Sequence, residues 1–182
     1  MKANLTMRSS GPRRLTQALG VQKRGAVIAV IAKSILHNIG VLLVSLLAAY
    51  LGAYADSLLG VASFASVVAR IAGCSLLALG FFVRTWAAVH FYQHGLHVVS
   101  LRPQAVLITF GPYRFSRNPL YLGGNVFIFF GAALLLGSVT ALAITALHLP
   151  LIDRFIRREE VQLEQEFGEA FVNYAERTRR WL

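Results

Sequence analysis

The sequence predicts an all-α membrane protein of about four transmembrane helices, followed by an amphipathic helix outside the bilayer, with a ligand-binding loop in the middle of the chain. Three observations carry this reading. The 182 residues are 56% hydrophobic and only 14% charged, with a mean hydropathy of +0.59. A soluble domain carries about a quarter charged residues, so the surplus apolar surface needs lipid as its solvent. Four apolar runs are long enough to cross a bilayer, and the basic residues cluster beside them in three separate segments.

Residues 1–33 contain Lys2, Arg8, Arg13, Arg14, Lys23, Arg24 and Lys33 without a single acid, which places this segment on the cytoplasmic side by the positive-inside rule. The first span is expected over residues 35–54, enough at 1.5 Å per residue to cross a core of roughly 30 Å. Ala53, Tyr54 and Ala55 have the small-x-small form of a signal-peptidase site. The basic and apolar regions before them exceed those of a cleaved signal, so the segment reads as an uncleaved anchor. The connection at residues 55–62 holds Asp56 and no lysine or arginine, as an external loop should. A second span follows over residues 64–88, carrying Arg70 toward its outer end and Arg84 toward its inner end. Arg84 and Trp86 are either snorkelling and interfacial residues or part of a site, since an arginine inside an apolar helix is costly without a partner.

Residues 89–118 form the longest polar connection. His90, His94 and His97 raise the question of a metal, and the first two share a helix face, but no nearby carboxylate completes a ligand set. The sole cysteine, Cys74, excludes a disulfide framework or cysteine cluster and reads as a small core residue. The loop ends in Gly111-Pro112-Tyr113-Arg114-Phe115-Ser116-Arg117-Asn118-Pro119-Leu120-Tyr121-Leu122-Gly123, where basic, turn-rich sequence passes directly into an apolar run. Proline biases its predecessor away from the helical region, so Asn118 should be extended and Pro119 should open a new helix. That helix end presents unpaired N–H groups suited to a carboxylate or phosphate.

Residues 119–137 and 138–152 form a helical hairpin with an uncharged tip. Gly123, Gly124 and Gly131 lie in its first arm, where small residues allow close helix approach. His148 reads as a packed or interfacial residue, and Pro150 is expected to kink the second arm. From residue 153 an amphipathic helix leaves the membrane, with Phe155, Ile156, Leu163 and Phe167 near helical spacing and Gly168 as a candidate break. The chain therefore reads as one domain over residues 1–182, comprising the basic segment 1–33, the cytoplasmic loop 89–118 and the tail 153–182, with both termini cytoplasmic. The net charge of +10 does not indicate nucleic acid, because the basic residues adjoin apolar spans and are not interleaved with aromatics on a polar face.

The run from Gly111 to Gly123, followed by Glu159-Glu160, Leu163, Phe167-Gly168 and the final Arg180-Trp181-Leu182, resembles the isoprenylcysteine carboxyl methyltransferase family of integral membrane enzymes. Arg84 and Trp86 are also similar to its pattern, and the resemblance covers residues 73–182. It implies S-adenosylmethionine as cofactor, bound in a cytoplasm-facing pocket between the central loop, the hairpin base and the tail helix. Tyr113, Asn118, Pro119, Leu120 and Tyr121 would line it, Ala105, Val106, Leu107 and Ile108 would form one wall, and Glu159 would contact the amine or ribose. Helix-end N–H groups with Arg114 or Arg117 would hold the cofactor carboxylate. Arg154 or Arg84 would pair with the carboxylate of the acceptor, a lipophilic small molecule or prenylcysteine reached from the bilayer.

The chain departs from the family in having Asn118 where members acting on prenylated proteins have histidine, and Phe171 where they have tyrosine. Asparagine cannot act as a base near neutral pH, which bears on the acceptor more than on the cofactor. An ion-paired, solvated helix face is the plain alternative for Glu159 and Glu160, with Arg157 or Arg158 as partners. Two rival functions remain: an NADPH-dependent membrane reductase related to the sterol reductases, which share a similar hairpin and loop motif, and a non-catalytic scaffold whose basic segments bind anionic lipid.

Overall fold

The computed structural model describes the backbone of residues 12–94 and 106–182, and side chains within these from Gly25 onward. Ala105, His97 and Arg102 lie outside the described residues, as do Lys2 and Arg8. The elements are α1 (Pro12–Leu58), α2 (Val67–Gln93), a short 3₁₀ turn (Gly111–Arg114), α3 (Pro119–Leu136), α4 (Val139–Phe167) and α5 (Glu169–Arg177). No strand occurs among the described residues. Among the described residues, helices α1 to α4 are long and apolar enough to cross a membrane. Their outer faces carry exposed residues such as Leu36, Leu43, Val68, Phe82 and Leu147, which lipid would cover.

Several boundaries differ from expectation. α1 begins upstream of the first apolar run, so part of the basic segment continues the same helix. α2 runs through His90 to Gln93, into what reads as loop. α4 passes through Pro150 without interruption. Proline there removes the hydrogen bond to the Ala146 carbonyl and crowds it, but Ala146 is exposed and the helix continues through the flanking turns. At 29 residues α4 is about 43 Å long, beyond a bilayer core of roughly 30 Å, so its last turns extend outside. The break at Gly168 is present, with φ of 52° and ψ of −128°. Cys74 is exposed on α2 and is not a core residue. His90 and His94 turn their Nδ1 atoms to the carbonyls of Trp86 and His90, 2.9 and 2.8 Å away on their own helix.

The four long helices run up and down, and each end of the bundle is tied by polar contacts. At the end holding the two short connections, buried Asp56 on α1 accepts from Ser138 Oγ (2.7 Å), Thr140 N (3.0 Å) and Thr140 Oγ1 (2.5 Å) at the start of α4. A carboxylate at a helix N-terminus satisfies donors that the helix leaves unpaired. Ser138 in turn caps α4 by accepting from Ala141 N at 3.0 Å. Gly137, at φ of 60°, closes α3, and a Cβ there would collide with the Ala65 backbone nitrogen, so no larger residue fits the turn. Asp56→Ala is expected to lower the thermal midpoint, since it leaves the buried Ser138 hydroxyl and both Thr140 donors without their acceptor. Thermal unfolding in detergent reads this loss directly, and an unchanged midpoint would show that the contact is not coupled to folding.

Candidate active site

The opposite end, where α1, α2, α3 and α4 converge with the loop and the tail, holds two adjoining polar layers. The inner one centres on Arg84. Its Nη1 donates to the Leu120 carbonyl at 2.6 Å, and its Nη2 donates to His37 Nε2 at 3.2 Å. Arginine only donates, so His37 must carry its ring proton on Nδ1 to accept this bond. The Arg84 Nε is buried and has no hydrogen-bond partner among the described residues. No carboxylate among them lies within ion-pair distance of this guanidinium. The phenols of Tyr121, Tyr113 and Tyr92 are close enough to interact with it electrostatically.

Backbone geometry makes room for the arginine. Residues Leu122–Ile128 form a π-helical segment within α3, a wider winding that recurs at functional sites. A Cβ on Gly80 would lie 2.6 Å from the Gly123 carbonyl, and one on Gly124 would lie 2.8 Å from Arg84 Nη1. Helices α2 and α3 therefore meet backbone to backbone, and the guanidinium occupies the space that a side chain at Gly124 would fill. Beside it, Asn38 Nδ2 donates to Thr85 Oγ1 at 3.0 Å, tying α1 to α2.

The outer layer joins the loop to the tail. Arg117 donates from Nε to Glu160 Oε1 (3.0 Å) and from Nη1 to the carbonyls of Ala175 (2.9 Å) and Thr178 (2.6 Å). Arg180 grips Glu160 Oε2 from Nε and Nη2 at 2.9 and 2.6 Å. Glu160 therefore pairs with Arg117 and Arg180 rather than with its helix neighbours, whereas Arg157 takes Asp153. Ser116 Oγ and Asn118 Nδ2 both donate to the Arg180 carbonyl, at 3.1 and 3.3 Å, and Trp181 Nε1 donates to Asp153. The chain end is thus laid over the Gly111–Gly123 run.

Between the layers lies an aromatic wall. Ile108, Tyr113, Leu120, Phe171 and Tyr174 pack with Ala87 and Ala88 in one buried cluster. Tyr174 donates to the Tyr113 carbonyl at 2.8 Å, and Tyr113 stacks on Phe91 at 5.6 Å. Burial pushes the Tyr113 phenol well above the ordinary tyrosine range, with Tyr174 adding to the effect. Burial likewise raises Tyr174. Both stay protonated at physiological pH, and the Tyr113 hydroxyl is buried with no partner among the described residues. Tyr121 donates to Glu159 Oε1 at 3.1 Å.

Of the residues singled out in the sequence, Arg84, Tyr113, Pro119, Leu120, Tyr121 and Glu159 surround this centre. Asn118, at φ of −129° and ψ of 52°, lies outside the helical region but is not extended as expected, and Pro119 does open α3. Leu107 is half-buried, while Val106 and Arg154 are exposed. The sequence reading missed His37, Asn38 and Tyr174, and quoted Glu160 and Arg180 as motif residues without their pairing. A signal existed for the α1 partners: Ser34, Asn38, Ser45, Ala49 and Asp56 are all buried and recur at intervals of four and seven, marking one polar and small-residue face on an apolar helix.

Fold and site together define a helical membrane protein whose polar centre is assembled at one end of its bundle from loop, helices and tail. The chain matches the family described as PEMT, phospholipid methyltransferase, over residues 68–170, more than half its length. It belongs to that family of membrane methyltransferases, which is broad enough to include the isoprenylcysteine-type enzymes its motifs resemble. No curated protein and no solved structure matches it.

Proposed function

We propose that this protein transfers a methyl group from S-adenosylmethionine to the carboxylate of a lipophilic acceptor, of which an isoprenylcysteine is one example. The observation that carries the reading is Arg84: a buried guanidinium, with no carboxylate beside it among the described residues, that keeps an unpaired Nε. A buried cation is stable only when an opposite charge reaches it, and a ligand carboxylate meets that need.

S-adenosylmethionine, when bound, supplies an electrophilic methyl carbon and a sulfonium leaving group. The residues present fit such a ligand. Glu159, already oriented by the Tyr121 hydroxyl, offers a free carboxylate oxygen to an amine or ribose hydroxyl. The unpartnered Tyr113 hydroxyl is a donor held ready in a dry wall. Asn118 is steadied by the tail, and Pro119, Leu120, Leu107 and Ile108 provide apolar walls. Arg117 acts by positioning the tail through Glu160, and exposed Arg154 stands at the outer side of the same end.

Arg84 would hold the acceptor carboxylate. One of its oxygens forms the new C–O bond as the C–S bond breaks, giving a methyl ester and a neutral thioether. No proton moves, so alignment and exclusion of water are what the protein must supply. The end that carries Arg84, Arg117 and Arg180 would face the cytoplasm by the positive-inside rule.

Calorimetry on detergent-purified protein tests the cofactor. S-adenosylmethionine and S-adenosylhomocysteine should bind, NADPH should not, and Glu159→Ala and Asn118→Ala should each weaken binding by about 1–3 kcal/mol. Folded protein that binds neither adenosyl ligand would sink the reading, and binding of NADPH instead would turn it toward a reductase.

A further inference from the structure

A cavity that Arg84 does not line lies between the helices of the bundle. It has a volume of about 110 Å³ and is enclosed by α1, α3 and α4, with Ser45, Asn125, Phe129, Ile144, Thr145 and His148 among its walls. By comparison, an apolar protein cavity of roughly 150 Å³ takes up benzene. Ile144 is 60% exposed on the lipid-facing surface, so the rim of the cavity meets the bilayer between α1 and α4. We propose that this cavity binds the hydroxyl end of a membrane-dissolved alcohol, with His148 as its hydrogen-bond partner.

The chemistry of the walls selects that group. Among the described residues no charged side chain lines the cavity, so a carboxylate, phosphate or ammonium would be buried there without a counter-charge. A purely hydrocarbon occupant would leave His148 Nε2 unsatisfied, since this atom is buried with no partner among the described residues. The ring is held in place by Phe129, stacked on it at 6.3 Å and 9°. Ser45 and Thr145 have already spent their hydroxyl protons on the carbonyls of Leu42 and Ala141, which leaves their oxygens as acceptors. Asn125 brings an amide that both donates and accepts. A hydroxyl both donates and accepts, so it suits this set and complements either tautomer of His148. The apolar body of the ligand would remain between α1 and α4 in lipid. This inference does not depend on the acceptor or cofactor proposed above.

Photolabelling of the full chain in phosphatidylcholine nanodiscs tests it, using hexadecanol, hexadecane and palmitic acid, each carrying a diazirine on the alkyl chain. The alcohol should label peptides around Ser45 and around residues 144–148 about tenfold more than the other two, and unlabelled hexadecanol should compete. His148→Leu, and separately Asn125→Leu, should reduce that labelling about 5–10-fold, the range one hydrogen bond supplies. On the unmodified protein, the imidazole nitrogen resonance of His148 should shift as hexadecanol is added, a readout independent of how the variants fold. Equal labelling by the hydrocarbon would overturn the proposal. So would labelling that survives His148→Leu, or an unshifted resonance, which would mark a water-filled cavity only.

Discussion

Arg84→Met should lower methyl transfer to a farnesylcysteine probe by about 100-fold or more, the scale of removing one preorganised charge from a site, while leaving the bundle folded. The two effects separate for a physical reason. The guanidinium is held by the Leu120 carbonyl and His37 but has no carboxylate partner among the described residues, so burying it costs desolvation that those two contacts only partly offset. Replacing a buried charge with an apolar group of similar length is often neutral or stabilising. The thermal midpoint should therefore hold or rise as turnover collapses. Arg84→Lys should be nearly as damaging to turnover, because an ammonium cannot reach the Leu120 carbonyl, His37 and a ligand carboxylate with the same planar fork. Turnover within about threefold of the parent for Arg84→Met would remove this residue from the reaction.

Glu160→Gln should produce the largest loss of stability, about 1.5–3 kcal/mol, because two partly buried guanidinium groups lose their shared counter-charge. Its side chain is 11% exposed and receives Arg117 on one oxygen and Arg180 on the other. Without it, two guanidinium groups face each other at the seam between loop and tail, and the hold of Arg117 on the Ala175 and Thr178 carbonyls weakens with them. Carboxypeptidase should then trim the chain end, and S-adenosylmethionine affinity should fall as the tail lifts from the Gly111–Gly123 run. Arg157→Ala is the control. It removes a helix-surface pair whose arginine is 62% exposed, and it should cost under about 1 kcal/mol. A Glu160→Gln protein that melts with the parent and resists trimming would show that the tail is held by its apolar contacts alone.

Much of the bundle was legible because its determinants are local. Apolar runs set the four crossing segments, Pro119 opens α3, and Gly168 ends α4. The Gly111–Gly123 and Glu159–Glu160 motifs drew attention to the end of the bundle where the polar residues do converge. Legibility failed where proximity depends on how helices cross. Arg84 could be read as a snorkelling residue until α1 and α3 supplied His37 and the Leu120 carbonyl. Glu160 sits four residues or fewer from Arg157 and Arg158, which made a helix-surface pair the plain reading, yet its partners come from 43 residues upstream and 20 residues downstream. Pro150 does not end the second arm, because a single missing hydrogen bond does not outweigh the continuous helix on either side.

What the sequence determined by itself is the solvent and the class: hydrophobic excess, helical runs and clustered basic residues leave a helical membrane protein as the reading, and the motifs point to a methyltransferase family. The tertiary structure decided which polar groups share a site. Glycines at the α2–α3 contact bring backbones together around Arg84, and the tail folds back so that Arg117, Glu160 and Arg180 meet. Helix formation depends on neighbours within one turn, whereas a buried charge finds its partners only after the helices have packed.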